Sequence, residues 1–369
     1  MTTMTKAKVV TKIFSADDHV NEPPDLWTSR LPKAMHERGP HVVRDPKKGD
    51  CWVVEGNMRG PITMSALAGR KFEEFVLEGL TYDTIRRGGF DPVARMADMD
   101  IDGLEGTVIY GGGMAIGIQD KALRLASIKA YNDWLAAFCA VNPKRLAGAA
   151  MLPVTDPEEV AGELRRTAKM GIKGALVEFH RMAKPLGDPV FKPLWAMAQE
   201  LGVPLSFHIG GVRGMTYTDT APGSAEAFMA IVPMQHDEIL ATIIFSGILQ
   251  EFPRLKIVMA EGGIGWLPYL MERMDISWRR RRHSFNSVVK TPPSEFVKRN
   301  VWASFMEDKV GIMLRHVLGV DKIMWSSDYP HGDTTWPDSL KYIDDHFKGI
   351  PEAETRKIIH DNTVQVFNI

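Results

Sequence analysis

The chain of 369 residues has only two cysteines, Cys51 and Cys139, so neither a disulfide framework nor a cysteine-rich zinc site can be built. It lacks an excess of charge of either sign: 45 lysines and arginines stand against 46 aspartates and glutamates, a formal net charge of −1. That balance gives no overall attraction to nucleic acid or to an anionic lipid surface, and neither partner is expected. Long hydrophobic runs are missing as well. The stretch 239–249, the longest clearly apolar one, is too short to span a bilayer. The start MTTMTKAKVVTKIFSADDH has no apolar segment followed by a cleavage site, and these absences predict a cytoplasmic protein in a reducing compartment. There is no repeat, low-complexity tract or Pro/Gly-rich linker to mark a domain cut. What remains is an ordinary globular composition, 44% hydrophobic and 25% charged, long enough to bury a large core.

A short apolar run, ending in polar or glycine residues and followed by helical periodicity, recurs along the chain. Eight such runs are present: Ile13–His19, Gly106–Gly111, Leu146–Pro153, Gly174–His180, Pro204–Gly210, Lys256–Gly262, Val301–Met306 and Ile323–Asp328. Between the second and third, Leu125, Ile128, Tyr131, Leu135 and Phe138 follow three- and four-residue spacing and define one apolar helix face. Asp156-Pro157-Glu158-Glu159 has a capping acid, a first-turn proline and a box glutamate, Gly171 offers a left-handed stop, and Asp188-Pro189 repeats the start. Strands alternating with helices imply parallel pairing through right-handed crossovers, and eight units predict an α/β fold, a closed (β/α)8 TIM barrel. Barrels of this kind run long as one unit, so residues 1–369 read as a single domain. Residues 27–89 break the alternation with proline, glycine, charge and a short hairpin near Cys51–Glu55. They read as an insertion after strand one that caps the barrel mouth.

Active sites of such barrels lie where the strands end. The first run ends Asp17-Asp18-His19, the fourth Glu178-Phe179-His180, the fifth His208, the sixth Glu261 and the eighth Asp328. Alternate strand residues share a face, so Asp17 and His19 should point together and Asp18 away. Imidazoles and carboxylates converging from different strands form the nitrogen and oxygen donor set of a catalytic divalent metal site with open positions. Asp17, Glu261 and Asp328 supply three negative charges; one divalent ion would leave the cluster at −1 and two would bring it to +1. One or two ions therefore fit, and the oxygen-rich shell favours iron or manganese while zinc still tolerates carboxylates. Glu22 offers either another oxygen or a cap or salt-bridge partner beside Pro23. His180 and His331 follow strands four and eight and face either the substrate or a hydrogen-bond partner behind it. Arg279, Arg280, Arg281 and Arg282 form either a solvated helix face or a phosphate-binding group at the barrel rim, suited to the anionic part of a substrate such as a coenzyme A thioester.

Four blocks in order, SADDHVNEP (15–23), PLSFHIG (204–210), EGGIGWLP (261–268) and WSSDYPH (325–331), resemble the signature segments of the amidohydrolase superfamily, in its aminocarboxymuconate semialdehyde decarboxylase-like branch. The resemblance runs from about Ile13 to the segment around Asn362, with the insertion least matched. It implies a (β/α)8 barrel that binds a divalent metal through Asp17, His19, His208 and Asp328. Two departures stand out. Members with established activity often carry His-x-His on the first strand and, on the sixth, a histidine that activates water or protonates substrate; here the matching residues are Asp17 and Glu261.

Two reactions follow from that resemblance. In a hydrolase of an amide, ester or thioester, metal-activated water attacks a carbonyl, Asp328 shuttles the proton, Glu261 is a second base or further ligand, and His180 or His331 steadies the oxyanion. In a non-oxidative decarboxylase of an aromatic or unsaturated acid, an acid must protonate carbon. A glutamate donates a proton at neutral pH less readily than histidine, so Glu261 predicts a metal-dependent hydrolase. A third reading, a non-catalytic binding barrel, is opposed by the concentration of acids and histidines at strand ends. Apolar residues beyond the needs of the core predict a homodimer.

Overall fold

The computed structural model describes residues 12–210 and 221–369, and a sheet of eight parallel strands organises it. In chain order the strands are β1 (Ile13–His19), β2 (His41–Asp45), β3 (Gly49–Val54), β4 (Asn57–Pro61), β5 (Leu104–Tyr110), β6 (Leu146–Met151), β7 (Gly174–Leu176), β8 (Leu205–His208), β9 (Ile257–Ala260), β10 (Val301–Phe305) and β11 (Ile323–Trp325). The large sheet has the order β1-β5-β6-β7-β8-β9-β10-β11. The ring closes where β1 meets the segment after β11: the His19 N–H donates to the Tyr329 carbonyl at 2.6 Å and the Asp328 N–H to the Asp17 carbonyl at 3.0 Å. The architecture is thus the expected (β/α)8 barrel, and each of the eight expected strands is present. Several end early because their last residues turn out of the sheet; β7 stops at Leu176 and Phe179–Arg181 forms a short 3-10 turn.

Local sequence explains how the helices are laid on the barrel. Asp91 accepts the N–H groups of Val93 and Ala94 to start the helix Pro92–Asp102, and Gly103, at φ 78°, ends it in the left-handed conformation. On the helix Lys121–Ala140, Ile128, Tyr131, Leu135 and Phe138 are buried as expected, while Leu125 is half-buried. Strand β6, LAGAAM, has weak strand propensity yet lies fully buried in the sheet. Its small residues let the helices approach: a Cβ at Gly148 would come within 2.9 Å of Leu135 Cγ and 2.8 Å of Ile172 Cδ1. The segment Ser224–Phe245 is long and apolar enough by composition to cross a membrane. A 3-10 turn at Val232–Met234 interrupts it, and Ile239, Leu240, Ile243 and Ile244 bury against the barrel.

Two expectations need correction. The helix Pro157–Lys169 starts behind Asp156, but that carboxylate does not cap it. It accepts two hydrogen bonds from Arg124, each 2.9 Å, with both side chains buried, because a guanidinium satisfies a buried carboxylate better than one N–H does. Within 27–89 the chain forms a three-stranded antiparallel sheet, β2-β3-β4, where a hairpin was expected. The insertion is fixed to the barrel mouth: Ala68 N–H donates to the Pro330 carbonyl at 3.1 Å, and Asn21 bonds the Gly89 and Ser65 carbonyls through its N–H and Nδ2 at 2.8 and 2.6 Å.

The Arg124–Asp156 pair joins two consecutive strand–helix units. Removing one partner strands a buried charge, so Arg124→Met should lower unfolding stability by about 3–5 kcal/mol, read as a shift in the urea midpoint. The double variant with Asp156→Leu should recover much of that loss.

Candidate metal centre

His19 and His208 are the last residues of β1 and β8, Glu261 directly follows β9, and Asp328 lies three residues beyond β11. Barrel closure brings them together with Asp17. His19 Nε2 is 3.5 Å from Asp17 Oδ1, 3.7 Å from Glu261 Oε2 and 3.3 Å from Asp328 Oδ1. His208 Nε2 is 3.5 Å from Asp17 Oδ1, 2.8 Å from Glu261 Oε2 and 3.1 Å from His19 Nε2. The Nδ1 of His208 is 2.7 Å from the Ile209 carbonyl; an N–H there would donate to that carbonyl and leave Nε2 as a lone-pair donor. Glu261 and Asp328 sit at φ 64° and 56°, in the left-handed region that side chains other than glycine enter at a cost. The backbone accepts that conformation at two of the strand ends that bring a carboxylate to the cluster.

A cation suits this arrangement. Asp17 and Asp328 are buried, yet none of their four carboxylate oxygens accepts a hydrogen bond of regular geometry. Buried carboxylates without such partners are costly, and these face imidazole nitrogens at distances close to ligand-to-ligand contacts. Donor atoms of Asp17, His19 and His208 lie within 4.8 Å of one another, as do those of His19, Glu261, Asp328 and His331. Burial resists charge on His19, but the carboxylates of Asp328 and Glu261 beside it raise its pKa to about 9. Burial likewise opposes charge on His208, and Asp17 and Glu261 overcome it to raise that pKa. For Glu261, burial would raise the pKa, but His208 and His19 hold it well below the usual carboxylate range. Without metal these shifts favour protonated imidazoles beside Glu261, while burial raises the pKa of Asp17.

The other expected residues are sorted by the same geometry. His331 joins the cluster: its Nδ1 is 3.0 Å from Asp328 Oδ1 and its ring stacks on His19 with centroids 4.0 Å apart. His180 stands apart from it, exposed and in contact with Gln235. It lines a cavity of about 910 Å³ that reaches His208. Asp18 does face away, as alternation predicts. Glu22 is buried and accepts the Gly112 N–H at 2.7 Å; it does not cap a helix beside Pro23, where the chain forms turns. The arginine run cannot serve the site. The helix Leu267–Arg281 starts near the mouth and runs back along the barrel for 15 residues, about 22 Å at 1.5 Å per residue. Its end meets Val289 through Trp278 Nε1 at 3.0 Å, and Gln250, which precedes β9, reaches Val288 at 2.9 Å. Arg279, Arg280, Arg281 and Arg282 therefore lie at the opposite end of the barrel, which removes the proposed hold on a coenzyme A thioester.

Two residues were given no role by sequence reasoning. Glu178 lines the same cavity as His208; burial pushes its carboxyl pKa up, and among the described residues its carboxylate makes no hydrogen bond or ion pair, while its backbone carbonyl accepts the Arg181 N–H at 3.0 Å. Its place at the end of the fourth run was the available signal, beside a histidine that is the more familiar catalyst. His236 is fully buried behind the site, packed so closely on Gly262 that a Cβ there would sit 2.0 Å from its Nδ1. Burial holds it neutral, its pKa lowered to about 3. Nothing in its apolar helical context signals that placement.

Barrel and site together define a metal-binding (β/α)8 enzyme. The amidohydrolase family profile matches residues 83–369, and the chain belongs to this family, in its aminocarboxymuconate semialdehyde decarboxylase-like branch. It is 29% identical over 300 residues to a gamma-resorcylate decarboxylase of Polaromonas sp., covering 74% of this chain and 86% of that one. With the 2-amino-3-carboxymuconate-6-semialdehyde decarboxylase of Dictyostelium discoideum it shares 25% identity over 260 residues, 70% and 71% of the two chains. Among solved structures, an amidohydrolase from Mycobacterium avium subsp. paratuberculosis superposes with a TM-score of 0.78 at 24% identity, over 96% of this chain and 99% of that one. A dihydroxybenzoic acid decarboxylase from Polaromonas sp., with bound manganese and the inhibitor 2-nitroresorcinol, gives 0.64 at 20% identity over 97% of each chain. These relatives overturn the expected hydrolase: the curated ones are named decarboxylases. The inference from Glu261 failed because it took the strand-six residue to be the proton donor, whereas that carboxylate is bound up with the two imidazoles.

His208→Ala should leave the barrel folded and abolish metal retention, counted as metal ions per chain after purification. Ligand imidazoles must be neutral. Manganese added at pH 7 to chelator-stripped protein in weak buffer should therefore release protons, and its affinity should rise as pH climbs toward about 9, where His19 loses its proton unaided. Uptake without acidification would show that the histidines are already neutral.

Proposed function

We propose that the protein is a metal-dependent, non-oxidative decarboxylase of an aromatic or conjugated unsaturated carboxylic acid. The observation that carries this reading is the alignment of 74% and 70% of the chain with decarboxylases of such acids, together with a strand-end cluster that fits a divalent cation. Asp17, His19, His208, Asp328 and Glu261 are the proposed ligand set, and its oxygen content suits manganese, the ion bound in the Polaromonas decarboxylase. When bound, the ion supplies Lewis acidity toward the substrate carboxylate and a neighbouring oxygen.

Decarboxylation requires a proton at the carbon that carries the carboxylate; the C–C bond then breaks, its electron pair returns to the unsaturated system, and carbon dioxide leaves. The neighbouring pair Asp328 and His331, 3.0 Å apart, is the proposed proton source. Asp328 is buried and aimed into the mouth, while His331 is about a quarter exposed and can draw a proton from water. Glu261 remains ionised, which leaves it as a ligand and a partner of His208. The cavity beside His208 offers Ile116, Phe179 and Met182 to an unsaturated ring, and Arg181 and Lys184 to its anionic charge.

The test is a panel of hydroxylated benzoates and conjugated dienoic acids given to the manganese-loaded protein in deuterium oxide. Release of carbon dioxide with one deuterium at the vacated carbon is expected. Turnover of esters, amides or thioesters with no carbon dioxide from any acid would overturn the proposal. His331→Gln should retain metal and lower kcat by roughly 10²-fold or more, the usual effect of losing a general acid.

A further inference from the structure

Asp18 stands between two proposed ligands, points away from them, and is almost wholly buried. Its carboxylate is among the most fully bonded in the molecule. Oδ1 accepts from Ser15 Oγ at 2.9 Å, Ser327 Oγ at 2.6 Å and the Tyr329 N–H at 3.2 Å, and Oδ2 accepts from Thr107 Oγ1 at 2.6 Å. Arg95, itself buried, has Nη1 3.7 Å from Oδ2. The same guanidinium donates to the carbonyls of His19 and Gly88 and lies 4.4 Å over the Tyr329 ring.

The sequence positions of these partners matter more than their number. Asp18 is flanked by Asp17 and His19, and its partners Ser327 and Tyr329 flank Asp328. Along both segments, anchoring residues alternate with proposed ligands, so a side chain held on the outer side fixes the ligand beside it on the inner side. The backbone bonds run in the same register, Asp328 N–H to Asp17 and His19 N–H to Tyr329. Pairing of β1 with β5 shifts register between Ser15 and Asp18, a bulge of the kind that re-aims side chains. Ser15, at the edge of that bulge, accepts the Ser327 N–H through Oγ at 2.9 Å.

We infer that Asp18, with Arg95 behind it, is a positioning residue that locks the first and eighth strand ends in register and thereby sets the spacing of Asp17, His19 and Asp328 for metal. The inference rests on the reading of those three residues as ligands. It differs from a general stabilising role because it predicts a loss of metal affinity out of proportion to the loss of stability.

The experiment titrates manganese into chelator-stripped full-length protein, following free manganese by its electron paramagnetic resonance signal, and records unfolding midpoints alongside. Asp18→Ala and Ser327→Ala should each weaken manganese binding by roughly 10–100-fold, the scale for groups that orient ligands. Asp18→Asn, which keeps an acceptor for Ser327 and Tyr329, should restore part of it. Thr107→Val removes a hydroxyl that touches Asp18 but not the eighth strand end, and should lower the midpoint while leaving affinity within about threefold of the parent. If Asp18→Ala does not fold, Ser327→Ala and Asp18→Asn decide the matter. Parent-like affinity in the folded Asp18 and Ser327 variants, alongside metal loss in His208→Ala, would overturn the positioning role and leave the ligand assignment standing. A parent protein that binds no manganese would overturn both.

Discussion

A group of carboxyls buried at one end of the barrel is the constraint on which the rest of the structure depends. Asp17, Asp18 and Asp328 are each at most 1% exposed, and taking a carboxylate out of water costs several kcal/mol unless partners replace the lost hydration. The molecule meets that cost in two ways on two sides of the same strand ends. Asp18 is surrounded by hydroxyls, an N–H and a guanidinium, all from the protein. Asp17 and Asp328 are left facing imidazoles, with no regular hydrogen bond of their own. The first arrangement is complete without any guest; the second is complete only with protons on the histidines or a cation among them.

The insertion and the closure of the barrel follow from this division. Because β1 and the segment after β11 meet across the closing seam, the outer anchors and inner ligands come from residues more than 300 positions apart. The insertion leans on the same seam, reaching Pro330 through Ala68 and Asn21 through Ser65 and Gly89. Left-handed backbone at Glu261 and Asp328 shows where local conformational preference yields to the demands of the site.

Chemistry at such a centre is decided less by which groups are present than by which of them are free to carry a proton. Glu261 illustrates the point: alone at a strand end, a glutamate suggests a base for hydrolysis. Set 2.8 Å from His208 and 3.7 Å from His19, it is held ionised and acts as a partner to the imidazoles. In the proposed decarboxylase, proton delivery then falls to His331, the more exposed of the two, and the buried Asp328 beside it.

The amino-acid sequence by itself determined the eight strands, their parallel order and the set Asp17, His19, His208, Glu261 and Asp328, because apolar periodicity and the residue ending each run are local properties of the chain. It also determined that Asp18 turns away, since alternation along a strand is local too. Only the tertiary structure decided what depends on distance and depth. The arginine run at 279–282 is close in sequence to the sixth strand end, yet the return path of its helix carries it to the far end of the barrel. Asp156 reads as a cap until Arg124 arrives from another helix. Glu178 and His236 gain their places only when the barrel closes around them. Proximity across the fold and removal from water set charge, pairing and reach, and neither is written in the spacing of residues along the chain.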